Sequence, residues 1–409
     1  MRRYRYRLYP TTTQRSELGR LMDECCRLWN DALEQRIVWW RSHGIILDSR
    51  AAWHPDRGRD KTLAQTRQLQ EARRELGIEV PAQLHNYVLV QLDRAFQNFR
   101  RRRREGEPGG FPRFRARRNW SSLVLPSYGQ SHEWLGGKGR FSRIRISGVG
   151  DLRVREHRPL PTADLGQATI GLRRVGHWEI SIAVREELRE PLEHTGRSVG
   201  VNRGVRNLIA TSDGRRVEGG LDLRAAAATE LRNAQKAYSR TVPGSAGREK
   251  ARVRVAQIQH RVAAERDRIL GQLARELVHE YDLIAIEDYA TAEMIRGAQG
   301  FAPAMSGRIA EQGWSILERR LRDRCERHGK ELVLVDPAGI SQTCPNCGRE
   351  TAHPLVRTRF RCGHCSFDED RDVAAAQILL ERIADPEMVR ERFPDDTRVP
   401  DRLEEQPIA

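Results

Sequence analysis

The fold is decided by two neighbouring stretches, S-Q-T-C-P-N-C-G at 341–348 and R-C-G-H-C-S-F-D-E-D-R-D-V-A-A-A-Q at 361–377. They contain two Cys-x-x-Cys pairs with fourteen residues between them, Cys344 with Cys347 and Cys362 with Cys365. Four thiolates at this spacing are typical of a tetrahedral zinc ion, and a closed four-sulfur site leaves no open position for a substrate. The sequence therefore predicts a structural zinc, followed directly by Asp372 at the start of a short helix.

Length and charge indicate the kind of protein this is. At 409 residues the chain is too long for one ordinary domain, so we expect two to four. The formal net charge of +16 predicts a polyanionic partner, with nucleic acid the first candidate and a generically soluble basic protein the alternative. An apolar run of membrane-spanning length and an N-terminal signal pattern are both missing, which predicts a cytosolic protein without a membrane partner. The three other cysteines, Cys25, Cys26 and Cys325, are expected to be reduced thiols.

The first 190 residues have the pattern of strands that enclose a helical segment. Arginine alternates with Tyr and Leu over residues 3–9, which predicts a strand with one basic face. Apolar residues at helical spacing predict helices through Leu18–Leu33, at about 63–77 and from Pro81 to about Arg104. Aliphatic residues that alternate with arginine predict further strands between about 140 and 186. This order predicts a β-barrel that carries a helical insertion.

A basic run follows the last of these helices. Five arginines at 100–104 lead into G-F-P-R-F-R at 110–115, where aromatic residues stand among further arginines. Guanidinium groups interleaved with aromatic rings suit phosphate contact and base stacking; the alternative is a solvated, charged helix end. The predicted nucleic-acid contacts are Arg100, Arg101, Arg102, Arg103, Arg104, Arg113, Arg115, Arg117 and Arg118.

The second half of the chain has the pattern of a mixed α/β sheet. One strand ends at Asn202, a buried strand ends at Glu287, and Asp372 opens the last helix, so we expect these three side chains on one side of the sheet. Two or three convergent carboxylates are what a pair of Mg²⁺ ions needs to hydrolyse a phosphodiester bond. The remaining predicted elements are helices at about 222–240, 247–281, 307–328 and 372–383, a strand at Glu331–Val335, and a disordered tail from 385 to Ala409.

Together these motifs resemble the TnpB family of transposon-encoded RNA-guided nucleases, which are related to type V CRISPR effectors. The resemblance covers nearly all of residues 1–384 and rests on Y-R-L-Y-P at 6–10, G-F-P-R-F-R at 110–115, V-G-V-N-R-G at 199–204, I-A-I-E-D at 284–288, S-Q-T-C-P-N-C-G at 341–348 and D-R-D-V-A-A-A at 370–376. It implies an α+β multidomain protein. The implied domains are a wedge-type β-barrel (1–10 and 121–190), a helical recognition insertion (11–120), an RNase H-like (RuvC) α/β nuclease domain (197–340 and 369–384), an inserted zinc ribbon (341–368) and a disordered tail (385–409).

The resemblance also implies partners and catalytic residues. The partners are a guide RNA and a double-stranded DNA target, met in the bacterial cytosol and on the nucleoid, in the context of transposon DNA recombination. The cofactors are a structural zinc and two Mg²⁺ ions held by an Asp–Glu–Asp triad. Glu287 matches the family glutamate and Asp372 the last aspartate. Asn202 stands where V-G-x-D-x-G has the first aspartate, and Ala374 where D-x-N-A-A has asparagine.

The residue at position 202 bears directly on activity. Its amide oxygen can touch a metal but brings no negative charge, and charge is much of what holds two hard cations about 3.5–4 Å apart. Arg203 beside it worsens the local balance. We therefore expect weakened Mg²⁺ binding and weakened or lost cleavage, unless one of three nearby acids substitutes, namely Asp213, Asp288 or Asp370.

Three functions fit these observations. The favoured one is an RNA-guided DNA-binding protein whose cleavage is weakened or lost. The alternatives are an active Mg²⁺-dependent RNA-guided endonuclease and a zinc-ribbon DNA-binding transposase accessory without a guide. The predicted barrel, the helical insertion and the G-F-P-R-F-R stretch favour a guide, and Asn202 favours binding over cutting. The oligomeric state stays open.

Overall fold

The structure of the chain is a computed structural model. It describes residues 2–44, 47, 49, 52–54, 58–60, 65–185, 191–218, 223–289, 303–352 and 357–393. The chain forms two compact units, Met1–Glu187 and Leu188–Ala409. Within the described ranges, no helix is long and apolar enough to cross a membrane.

The first unit combines an antiparallel sheet with three helices. Its elements in chain order are β1 (Arg2–Tyr9), α1 (Thr12–His43), β2 (Ala52–His54), β3 (Gly58–Asp60), α2 (Gln65–Glu75), α3 (Ala82–Arg104), β4 (Ser122–Leu125), β5 (His132–Lys138), β6 (Phe141–Ile146), β7 (Gly150–Arg155), β8 (Leu165–Leu172) and β9 (Trp178–Val184). Seven of the strands form one sheet in the order β4-β8-β9-β1-β7-β6-β5.

The period of two in β1 produces the predicted two-faced strand. Tyr4, Tyr6 and Leu8 are buried in the core of the first unit, while Arg3, Arg5 and Arg7 are exposed. Neighbouring strands bury their aliphatic residues in the same core, which also takes in the apolar sides of α1 and α3. The sheet therefore has one apolar face, and its other face is basic along β1, β6 and β7, as the alternation predicts.

The predicted barrel is not confirmed. The seven strands pair in one line, and the outer strands β4 and β5 each have a single partner among the described strands, so this part of the chain forms an open sheet. Two local features fit this result. The β4 strand has only four residues, and β5 carries a register shift between Trp134 and Gly136, which disrupts pairing at the edge.

Local signals explain where the first three helices start and stop. The α1 helix begins with a capping box in which Thr11 and Gln14 bond each other's backbone N–H groups, and it ends at Gly44 in the left-handed region, with φ 67°. The α3 helix follows Pro81, as predicted. The α2 helix is shorter than predicted, Gln65–Glu75, and residues 61–64 lie outside the described ranges.

The second unit is a six-stranded mixed sheet with helices. Its elements are β10 (Ser198–Asn202), β11 (Asn207–Thr211), β12 (Arg216–Glu218), α4 (Leu223–Ser239), α5 (Ala246–Glu280), β13 (Leu283–Glu287), α6 (Pro303–Gln312), α7 (Trp314–His328), β14 (Glu331–Val335), β15 (Arg359–Arg361), β16 (Asp368–Asp370), α8 (Arg371–Glu381) and β17 (Val389–Phe393). The strand order is β12-β11-β10-β13-β14-β17, and β15 pairs separately with β16.

The central strands place the predicted site residues at one edge. The β10, β13 and β14 strands are parallel, so Asn202 and Glu287 end neighbouring strands at the same edge of the sheet. The α8 helix packs directly on β10 at Gly200, where an added Cβ would lie 1.9 Å from the Ala376 carbonyl oxygen. Only glycine allows this approach, and the approach brings the start of α8 to the strand ends.

Two predictions for the second unit are wrong. The helix predicted at about 307–328 is two helices, because Gly313 adopts the left-handed region with φ 69° and separates α6 from α7. The tail predicted to be disordered from 385 contains β17, which pairs antiparallel with β14 and adds Phe393 to the core of the sheet. Apolar residues at both ends of V-R-E-R-F supply the anchor. Residues 394–409 lie outside the described ranges.

Candidate functional site

The four cysteines form the predicted cluster. Their sulfur atoms all lie within 4.8 Å of one another, with 3.7 Å between Cys344 and Cys365 and 3.6 Å between Cys347 and Cys362. A tetrahedral zinc with Zn–S bonds of about 2.3 Å requires sulfurs about 3.8 Å apart. The cluster therefore fits a closed four-sulfur zinc site.

The cysteine cluster is joined to the start of α8 through the β15–β16 hairpin and through side-chain packing. The second cysteine pair lies on the β15–β16 hairpin, and β16 ends at Asp370, whose carboxylate accepts from the Asp372 N–H at 2.9 Å as the N-cap of α8. Ala374, in the first turns of α8, is buried against Cys344 and Phe360. The cysteine cluster and Asp372 are thus parts of one packed element.

Glu287 is fully buried and paired with Arg203. Its Oε1 accepts from the Arg203 backbone N–H at 2.8 Å, and its Oε2 accepts from Arg203 Nε at 3.0 Å. Both side chains are 0% exposed. Burial raises the pKa of the Glu287 carboxyl, and the charge and hydrogen bonds of Arg203 oppose that rise.

The remaining nitrogens of Arg203 are also engaged. One terminal nitrogen donates to the Glu287 carbonyl oxygen, and the other lies 3.4 Å from both the Trp314 carbonyl oxygen and Glu318 Oε2. The guanidinium carbon is 5.5 Å from the centre of the Tyr289 ring, which stacks on Trp314. Arg203 is therefore enclosed by β13, α7 and the Tyr289 ring.

Three other arginines and Asn207 contact the carboxylates of Asp372 and Asp370. Asp372 Oδ2 accepts from Asn207 Nδ2 at 2.7 Å and lies 3.5 Å from Arg206. Arg371 lies 3.4 Å from the other oxygen of Asp372. Asp370 accepts from Arg206 at 2.6 Å and Arg216 at 3.1 Å. Burial acts to raise the pKa of Asp370, but the hydrogen bonds from Arg206 and the Asp372 N–H outweigh it and leave the pKa lowered.

Asn202 is the last residue of β10, the strand next to the one that ends at Glu287. It is 8% exposed and pairs with Ala210 of β11. The next two residues reach both carboxylates: Arg203 bonds Glu287, and a Cβ at Gly204 would lie 3.6 Å from Asp372 Oδ2. The structure thus places Asn202, Glu287 and Asp372 at one edge of the sheet.

These side chains do not form a metal cluster. In the described ranges, only the four cysteines bring three or more His, Cys, Asp or Glu ligand atoms within 4.8 Å of one another. Three acids were proposed as substitutes for the missing carboxylate. Asp213 lies in the turn between β11 and β12, where it accepts hydrogen bonds from Thr211 and Tyr281, and Asp288 is exposed. Asp370 is the third, and its carboxylate is paired with arginines. The residues present do not fit a pair of Mg²⁺ ions.

The predicted nucleic-acid arginines fall into two groups. Arg100, Arg102 and Arg104 are exposed in the last turns of α3, and Arg113 and Arg118 are exposed beyond it. The other four are also exposed, but they take part in contacts within the first unit. Arg115 stacks over Trp29 at 3.9 Å and Trp120 at 5.1 Å, Arg117 bonds Asp23, Arg101 bonds Glu105, and Arg103 lies over Phe99.

A second basic surface was missing from the predicted contacts. The strands β1, β7 and β6 are neighbours in the sheet, and six of their outward arginines form one patch, here called the outer arginine face: Arg3, Arg5, Arg7, Arg143, Arg153 and Arg155. The seventh, Arg145, is paired with Asp151 and Glu133. All six are exposed. Aromatic rings lie among them, since Arg153 stacks over Phe141 at 3.7 Å. The alternation of arginine in the sequence was the available signal, but only the strand order joins the strands into one surface.

Three protein-family models match parts of this chain. A helix-turn-helix domain matches residues 1–44, a domain described as a probable transposase matches 180–297, and a Cas12f1-like TNB domain matches 314–379. The last two matches contain Asn202, Glu287, the cysteines and Asp372.

Two curated relatives agree with these matches. A Streptomyces pristinaespiralis protein, provisionally named an RNA-guided DNA endonuclease, is 28% identical over 93% of this chain and 88% of its own length. Escherichia coli K12 InsQ, with the same provisional name, is 26% identical over 92% of this chain and 91% of its own. The chain belongs to the TnpB family.

The fold of this TnpB-family chain also resembles a Cas12f effector. Cas12f1, solved in complex with a single guide RNA and target DNA, matches 92% of this chain and 83% of its own with a TM-score of 0.54 at 12% identity. The similarity is one of fold.

Proposed function

We propose that this TnpB-family chain is an RNA-guided DNA-binding protein that holds its target without cutting it. Support for the guide and the DNA comes from the relatives provisionally named RNA-guided DNA endonucleases and from the fold shared with Cas12f1. The proposed partners are therefore a guide RNA and a double-stranded DNA target. The proposed location is the bacterial cytosol, with the protein on the nucleoid when it is bound to DNA.

The loss of cutting is supported by one observation above the others, the fully buried pair of Arg203 and Glu287. Two-metal hydrolysis needs carboxylate oxygens that are free to bind cations. Both oxygens of Glu287 already accept hydrogen bonds from Arg203, and Asn202 brings no charge. In the proposed roles, Glu287 and Asp372 are the remnants of a RuvC-like triad, and Asn202 is its degenerate position.

The proposed division of labour follows the two units. The first unit would act as wedge (1–10 and 121–190) and recognition insertion (11–120). The second would combine a RuvC-like scaffold (197–340 and 369–384) with a zinc ribbon (341–368), in which zinc has a structural role. The exposed arginines at the end of α3 and the outer arginine face would bind phosphates, because guanidinium groups among aromatic rings suit backbone contact and stacking.

One experiment tests this function. The full chain is expressed with the flanking DNA of its own locus, and the RNA that co-purifies is sequenced and used to define a matching DNA target. The complex is then incubated with that target in Mg²⁺, and binding and cleavage are followed on native and denaturing gels. We expect guide-dependent binding of intact DNA.

Other outcomes select other functions. Efficient cutting of the bound target would overturn the proposal and support an active Mg²⁺-dependent endonuclease. The retained Glu287 and Asp372 are the observation that favours this alternative. Equal binding of matched and unmatched DNA, without a defined RNA, would support the guide-free transposase accessory instead.

A further inference from the structure

The carboxylate centre of the second unit contains more cations than anions. Four carboxylates, those of Glu287, Glu318, Asp370 and Asp372, lie within 3.5 Å of a guanidinium nitrogen from one of five arginines, Arg203, Arg206, Arg216, Arg322 and Arg371. The nine groups carry five positive and four negative formal charges. A further divalent ion would therefore be repelled by cations already in place.

These arginines differ in how firmly they are held. The side chains of Arg206 and Arg216 are 45% and 42% exposed, so each can swing into solvent. The side chain of Arg203 is 0% exposed and lies over the Tyr289 ring, on which the Trp314 ring stacks. It cannot leave Glu287 without carrying an unpaired charge through a packed interior, which is costly.

Arg203 also satisfies the groups that a metal would otherwise satisfy. A buried carboxylate needs a cation or several hydrogen-bond donors to stay ionised. Arg203 supplies both, through its backbone N–H to Oε1 and its Nε to Oε2 of Glu287. Mg²⁺ would need oxygen ligands at about 2.0–2.1 Å with near-octahedral geometry, and these two oxygens are already taken.

We propose that Arg203 is a resident cation of this centre, which replaces divalent metal and makes the centre complete without it. This inference extends beyond the question of DNA binding, because it concerns what the apo protein can hold. It has one consequence for restoring the family triad. Asn202→Asp supplies the missing charge, but the new carboxylate meets a centre that still contains Arg203.

The test is manganese binding to the zinc-loaded, nucleic-acid-free full chain, because Mn²⁺ is paramagnetic and takes the same oxygen ligands as Mg²⁺. Free Mn²⁺ is followed by electron paramagnetic resonance during titration. We expect the unmodified chain and Asn202→Asp to leave the same amount of Mn²⁺ free. The double variant Asn202→Asp/Arg203→Leu should bind at least one more Mn²⁺ per chain, and Glu287→Gln on that background should abolish it.

A matched control separates this role from general charge removal. Asn202→Asp/Arg216→Leu removes an arginine from the same centre, but a half-exposed one that does not contact Glu287. This control should gain no Mn²⁺ site. Equal gains from the Arg203 and Arg216 substitutions would show that net charge matters and that Arg203 has no special place.

Two outcomes would overturn the proposal directly. One is strong Mn²⁺ binding by Asn202→Asp alone, since Arg203 would then give way to metal. The other is a folded Asn202→Asp/Arg203→Leu protein that binds none. If the double variant does not fold, the melting temperature of Asn202→Asp decides: no change on adding MnCl₂ at constant ionic strength supports the proposal, and a rise of several degrees contradicts it. None of these readouts needs a guide or a target, so they can fail independently of the proposed function.

Discussion

Two regions of the second unit have the pattern of metal sites, and they differ in what surrounds the ligands. The four cysteine sulfurs lie within 4.8 Å of one another. The carboxylates of Glu287 and Asp370 each face arginine instead. The two regions are joined through α8, so one packed element carries the four clustered cysteines at one side and an arginine-filled centre at the other. In the proposed account, the scaffold of a metal site persists in the second region while the Arg203 side chain takes the place of the cation.

The largest expected effect comes from the cysteine cluster. Cys344→Ala should release zinc and strongly lower the melting temperature, because the four ligands join the β15–β16 hairpin to the start of α8. Zinc content and thermal unfolding measure this. Cys325→Ala is the matched control, a buried cysteine in α7 outside the cluster, and should keep its zinc at a small cost in stability. Equal losses in the two variants would contradict a structural zinc.

The next effect concerns the arginine-filled centre. Arg203→Leu should cost about 3–5 kcal/mol of unfolding free energy, because it leaves Glu287 buried and unpaired. The double variant Arg203→Leu/Glu287→Leu should recover a large part of that loss. Urea denaturation of the two variants measures both values. If Arg203→Leu is as stable as the unmodified chain, Arg203 is not the cation that stabilises this carboxylate.

Nucleic-acid binding should show a smaller effect, divided between the basic surfaces. Arg153→Ala/Arg155→Ala on the outer arginine face should reduce the slope of log affinity against log salt by up to about 0.9 for each phosphate that the variant no longer neutralises. Arg102→Ala/Arg104→Ala at the end of α3 tests the surface predicted from the sequence in the same way. Arg117→Ala, which removes an arginine already bonded to Asp23, is the control and should leave the slope unchanged.

The smallest expected effect is on acid stability. The pKa of Asp370 is lower in the folded chain than in the unfolded one, so this carboxylate stabilises the fold above its unfolded pKa of about 3.9. That contribution disappears as the pH falls through the lowered folded pKa. Asp370→Asn should therefore be less stable at pH 7 and flatten the loss of stability below about pH 5. The same acid titration of Asp288→Asn, at an exposed carboxylate, should match the unmodified chain.

The cysteine cluster and the strand ends of the carboxylate centre could be predicted from residue patterns. Cysteine spacing predicts the cluster because four ligands close in sequence leave few geometries. Strand ends at Asn202 and Glu287 follow from short apolar runs that stop at polar residues, and parallel pairing then brings them to one edge. The resemblance to the motif V-G-x-D-x-G predicts that Asn202 stands in the place of the first aspartate.

The arginine network could not be predicted in the same way. Arg203 next to Asn202 indicates an altered charge balance, but whether its side chain turns inward depends on cover from Trp314, more than one hundred positions further along the chain. The pairs that Asp370 makes with Arg206 and Arg216 depend likewise on tertiary packing. The open sheet of the first unit and the β17 strand were missed for a related reason, since edge pairing is decided by neighbours distant in sequence.

The most direct test of the difference between the two regions is the metal content of the nucleic-acid-free full chain. The chain is equilibrated with Zn²⁺ and Mn²⁺ together, desalted, and analysed by inductively coupled plasma mass spectrometry. We predict one zinc per chain, held by the four cysteines, and no manganese. One or two manganese ions per chain that disappear in Glu287→Gln would contradict the replacement of metal by Arg203 at the carboxylate centre.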